Sequence, residues 1–105
     1  MIQDTRTDSR YVLRRKEELK MYIAIQHSIN DPERFWQTAE KEIPNLPGNL
    51  KVVSAYPSPD GKSCNCLWEA DSLANVQSFM DQKFGPFAKN YCYEVAPSKA
   101  IGLPA

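Results

Sequence analysis

The chain is poor in glycine, with four in 105 residues, and it holds one histidine and three cysteines. So few glycines leave no phosphate-cradling loop, and neither a P-loop nor a dinucleotide fingerprint is present. There is no nucleophile elbow and no Cys-x-x-Cys pair. Net charge is missing too, since 13 basic side chains balance 13 acidic ones. A chain with no excess of either sign has no electrostatic reason to seek nucleic acid or an anionic membrane. Apolar runs last only a few residues, far short of the ~20 that span a bilayer. The first six residues, Met1 to Arg6, lack the apolar core of a secretion signal. An odd set of cysteines (Cys64, Cys66 and Cys92) argues against a disulfide framework. The expectation is a cytoplasmic protein with reduced thiols, no nucleic-acid partner and no membrane partner.

What is present describes an ordinary globular domain: 42% hydrophobic and 25% charged residues, in a length that suits one core. Residues 1–20 stand apart, with six basic and four acidic side chains. They read as an N-terminal extension, helical or disordered. Tyr11, Val12, Leu13 and Leu19 would form the apolar side of a short helix capped by Asp8 or Ser9. Arg14, Arg15 and Lys16 fit a solvated face better than a binding patch. Residues 21–105 form the domain proper.

Within it, Met21 to His27 is rich in β-formers and reads as strand one, apolar enough for a strand buried on both faces. Asn30-Asp31-Pro32-Glu33 is a helix start, combining a cap, a proline in the first turn and an acidic residue near the positive end of the dipole. Phe35, Trp36, Ala39 and Ile43 then recur at helical spacing until Pro44 ends the run. Leu50 to Tyr56 and Ser63 to Ala70 are strands two and three. The turn Ser58-Pro59-Asp60-Gly61 makes them an antiparallel hairpin. Asp71 and Ser72 cap a second helix whose stripe is Leu73, Val76, Phe79 or Met80, and Phe84, stopped by Gly85-Pro86. Tyr91 to Val95 is strand four.

The order strand–helix–strand–strand–helix–strand, with right-handed crossovers, predicts an α+β fold of the ferredoxin-like, βαββαβ kind. Both helices cover one face of a four-stranded antiparallel sheet and leave the other bare. A bare sheet face asks for a partner, and a two-fold homodimer packed sheet to sheet supplies one. The block Cys66-Leu67-Trp68-Glu69-Ala70, a helix, Gly85-Pro86, then Tyr91-Cys92-Tyr93-Glu94-Val95 resembles the dimeric α+β barrel superfamily. It is most similar to small members of the DUF4242, nickel-responsive type. His27 followed by Asp31-Pro32-Glu33-Arg34-Phe35-Trp36 adds to the likeness, which covers residues 21–103. The resemblance implies a homodimer with a ligand cleft. It leaves the reaction open, because the superfamily holds monooxygenases, isomerases, haem proteins and plain binding modules.

Four residues stand out as ligand-binding candidates. His27, at or near the end of strand one, suits a general base or a metal ligand, against the plainer role of a hydrogen-bonded or surface histidine. Glu69 would reach the bare face if the Cys64–Cys66–Trp68 side lies under the helices. There it would be a proton-moving carboxylate or half of a salt bridge. Tyr56 and Tyr93 would line the cleft or serve as strand aromatics. Cys64 and Cys66 share one face of strand three, and with His27 they would suit nickel or zinc, although packing as small hydrophobes is the commoner use of such a pair. No cofactor is required by any motif. The expected function is a homodimeric module that takes up a small molecule or metal ion in the sheet-face cleft. The alternative is a cofactor-independent monooxygenase or isomerase with His27 or Glu69 as base.

Overall fold

The computed structural model describes residues 20–104, so the expected N-terminal helix lies outside the described residues. In chain order the elements are β1 (Met21–Ile29), α1 (Pro32–Glu42), a 3-10 turn (Ile43–Asn45), β2 (Leu50–Pro57), β3 (Ser63–Ala70), α2 (Leu73–Lys83) and β4 (Ala88–Glu94). The strands form one four-stranded sheet in the order β2-β3-β1-β4, with every neighbouring pair antiparallel. This is the α+β, ferredoxin-like arrangement that the order of elements predicts.

Alternation along the two central strands decides the two sides of the sheet. On β1, Ile23, Ile25, His27 and Ile29 are buried, while Gln26 and Ser28 between them are exposed. On β3, Cys64, Trp68 and Ala70 are buried on the matching side. Both helices press their apolar stripes onto that side through Phe35 of α1 and Val76 and Met80 of α2. Phe84, which closes α2, stacks obliquely on Phe35 at 5.0 Å between ring centroids. Trp68 meets Phe79 at 5.9 Å.

Local chemistry explains where each helix begins and ends. Asp31 accepts a hydrogen bond from the Arg34 backbone N–H at 3.2 Å, and Ser72 accepts one from Asn75 N–H at 3.0 Å. After Phe84 the chain turns at Gly85, where any side chain would strike the Asp81 carbonyl. The hairpin turn is held by Asp60, whose carboxylate accepts from the Ser58 hydroxyl at 2.7 Å and from Lys62 N–H at 2.9 Å. Those bonds hold its pKa below the usual carboxylate value. Gly61 takes φ 74°, and its carbonyl accepts from the Trp36 indole N–H at 3.0 Å, tying α1 to the hairpin.

Two strand boundaries differ from the sequence reading by more than one residue. β1 runs two residues past His27, and β4 begins at Ala88 rather than Tyr91. The extra length is one ladder, with Ile29 opposite Ala88 and Ser28 opposite Lys89. The polar pair Lys89-Asn90 reads as loop in a list of residues. It is strand because Lys89 projects to solvent while Asn90 finds a buried partner in His27.

The β2–β3 pairing carries a bulge at Val53: Val52 pairs with Trp68, but Ser54 pairs with Leu67. The slip reverses the facing of everything after it on β2.

At Gly61 a methyl group would need left-handed backbone and would crowd the Trp36 ring nitrogen at 3.2 Å. Gly61→Ala is expected to lower stability by roughly 1 kcal/mol. Urea denaturation should show a lower midpoint with unchanged slope.

Candidate functional site

Three of the four expected site residues share the uncovered side of the sheet. Tyr56 is 70% exposed and Tyr93 41%, with Tyr91 beside it at 61%. The rings of Tyr91 and Tyr93 lie 5.7 Å apart. Tyr56 reaches this side only because of the bulge, which sets it opposite Asn65 instead of Cys64. Glu69 lies at one end of the same face, with its side chain 13% exposed. One carboxylate oxygen is 3.0 Å from Lys20 Nζ and the other 3.6 Å from Lys51 Nζ. Each oxygen thus has a cation beside it, the salt-bridge arrangement that the sequence offered as one of two roles for Glu69.

His27 is on the other side. It follows the phase of Ile23 and Ile25, lies beneath α1 with 6% exposure, and sets its ring edgewise to Phe35 at 5.3 Å. His27, Glu69 and a tyrosine do not converge on one cavity, because the sheet itself separates them. The signal for this was present in the isoleucine alternation.

The surroundings of His27 specify its tautomer. Asn90 Nδ2 donates to the Ala88 carbonyl at 3.3 Å, so its Oδ1 is the atom facing the imidazole. That oxygen lies 2.7 Å from Nδ1, which must therefore carry the proton and donate it. Nε2 is left as a bare lone pair. Burial lowers the His27 pKa from its ordinary value, and the Asn90 bond offsets this only in part.

Next to His27 stand two thiols. Cys64 is opposite it in the β1–β3 ladder, and Cys66 follows on the same side of β3. Their sulphurs are 3.7 Å apart. A ring nitrogen of His27 and both sulphurs all lie within 4.8 Å of one another, and no other such group of three occurs among the described residues. Burial, and then the neighbouring Cys64, push the Cys66 thiol up to about 12. Cys92 belongs to β4 and lies outside the group; burial and Asp81 raise it to about 11. The Trp68 indole N–H is buried with no hydrogen-bond partner. It is close enough to Cys66 to be the one influence that favours the thiolate there.

No family model, curated protein or solved structure matches the chain. Function therefore rests on these side chains and not on kinship. Among the described residues no helix is long and apolar enough to cross a membrane. Sequence reasoning did not select Asn90 or Tyr91. Asn90 was placed ahead of the strand, and its position two residues before Cys92 signals its facing only once the start of β4 is known.

Because the folded-state pKa of His27 lies below its unfolded value, the unfolded chain takes up a proton more readily. The stability that neutral His27 contributes is complete above pH ~6.5 and is lost as pH falls below it. Thermal unfolding should show a falling midpoint from neutral pH towards about 5. The decline should be shallower in His27→Gln, and an equal decline in both proteins would assign it to other groups.

Proposed function

We propose that the protein is a homodimeric binding module in which two copies pack bare sheet face to bare sheet face and hold a small molecule between them. The observation that supports this most is the asymmetry of the sheet: α1 and α2 both lie on one side, and three tyrosines stand exposed on the other. The face is also depleted of free charge near its centre. Ala24 and Leu67 occupy the middle of the β1–β3 pair, and Glu69 is neutralised by Lys20 and Lys51 at one end. Tyrosine enrichment and loss of charge are the compositional marks of an interface core.

Four strands of this length give a footprint of roughly 20 by 25 Å. With side-chain relief added, that suits the ~800 Å² a side of a standard protein pair. A second copy is the fitting occupant, since one face supplies both halves of a two-fold contact. Tyrosine rings with free hydroxyls offer apolar walls and polar handles, which favours a small aromatic ligand over an ion. A cofactor-free monooxygenase or isomerase is the weaker reading, because His27 and Glu69 are on opposite sides of the sheet.

Light scattering on the full chain should report a dimer. Leu67→Arg, at the centre of the bare face and away from the helices, should give a folded monomer with an unchanged circular dichroism spectrum. A wild-type monomer at high protein concentration would refute the dimer. A thermal-shift screen of small aromatic molecules that finds no ligand, or whose hits stabilise Leu67→Arg equally, would refute the cleft.

A further inference from the structure

The helix-covered side of the sheet holds chemistry that a ligand cleft on the other side does not use. We propose that His27, Cys64 and Cys66 form a site for a thiophilic d10 cation, zinc(II) or copper(I), independent of the tyrosine face.

The donors are set by the sheet and not by a loop. Cys64 and Cys66 are two apart on β3, which points both sulphurs to one side, and His27 is the direct ladder neighbour of Cys64. Such a set needs little reorganisation to close on an ion. The spacing also fits. Two sulphurs bound tetrahedrally at about 2.3 Å stand roughly 3.8 Å apart, and here they are separated by 3.7 Å.

Two neighbours behave as the outer ring of a metal site. Asn90 Oδ1 accepts a hydrogen bond from Nδ1–H of His27 and leaves Nε2 as the nitrogen with a lone pair to offer an ion, the usual way in which a protein fixes a metal-binding imidazole. Trp68 presents a buried N–H that has no acceptor. A buried donor without a partner is uncommon and calls for a reason. A metal-bound thiolate at Cys66 is the acceptor it lacks. The indole N–H is directed at Cys66, and packing of two thiols as small hydrophobes would give it only a neutral thiol, a weak acceptor beyond hydrogen-bond distance.

The surroundings select the class of ion. Phe35 lies against His27, and no carboxylate belongs to the group, so hard cations that require oxygen ligands are excluded. Access is from the β2 side, where Cys66 is half-buried and its ladder partner Ala55 is exposed. Each metal–sulphur bond formed replaces an S–H bond, and the proton passes to water.

The test is titration of reduced, chelator-treated protein with cadmium, as a spectroscopic stand-in for zinc, and with copper(I) under anaerobic conditions. One equivalent should saturate a sulphur-to-metal charge-transfer absorbance. Cys66→Ala should abolish that band and Cys92→Ala should leave it intact. Trp68→Phe and Asn90→Leu should each weaken binding by about tenfold or more, as loss of outer-ring partners does. X-ray absorption on the loaded wild-type chain needs no variant to fold, and should report two sulphurs and one nitrogen around the ion. Absence of saturable one-to-one binding would overturn the site. So would a shell of oxygen and nitrogen alone, or loss of the band in Cys92→Ala. A positive titration with Leu67→Arg as well as wild type would show that the site does not depend on the dimer.

Discussion

The antiparallel pairing of β1 with β3 is the constraint on which the rest of the structure depends. It runs from Met21 opposite Ala70 to Ser28 opposite Ser63, and it fixes the phase of every side chain in the centre of the sheet. Ile23, Ile25 and Trp68 face the helices only in this register. A shift of one residue on either strand would turn its buried set to solvent, with the loss of about 1.5–3 kcal/mol for each large apolar side chain. The same ladder sets His27 beside Cys64, so stability and the cluster of soft donors found among the described residues are specified by a single alignment. Edge strands β2 and β4 add to that unit and inherit its facing.

Much of this architecture was legible in the residues. Asp31-Pro32-Glu33 and Ser72 announced the helix starts, Gly85-Pro86 the stop of α2, and Ser58 to Gly61 the hairpin, because each acts through local backbone chemistry that a sequence displays. The order of elements then leaves few topologies. The beginning of β4 was not legible: Lys89 and Asn90 are polar, and nothing short of the partner strand says that one of them is answered by a histidine 63 positions away. The facing of His27 was half legible, since its phase with Ile23 and Ile25 was visible but the depth of α1 over the strand end was not. The double ion pairing of Glu69 depends on Lys20 and Lys51 arriving from two directions, which no spacing reveals.

The two sides of the sheet thus offer different chemistries at a separation of one backbone layer. One is broad, aromatic and accessible, with Tyr56, Tyr91 and Tyr93 free of the core. The other is narrow, apolar and shielded, with an imidazole of fixed tautomer next to two thiols. Because adjacent residues on a strand project to opposite sides, Leu67 and Cys66 are neighbours in sequence and belong to different environments.

The irregularity at Val53 has a consequence for both sides at once. In an unbroken β2 the strict alternation would seat Tyr56 over Cys64 and Ser54 over Cys66, capping the thiols with a phenol ring and a hydroxyl. The inserted residue gives Cys66 the methyl group of Ala55 as its neighbour and sends the phenol to the opposite side. One added residue in an edge strand thus acts as a sorting device: it leaves Cys66 beside a methyl group and Cys64 beside the Pro57 ring, and adds a third tyrosine to the face that already carries Tyr91 and Tyr93.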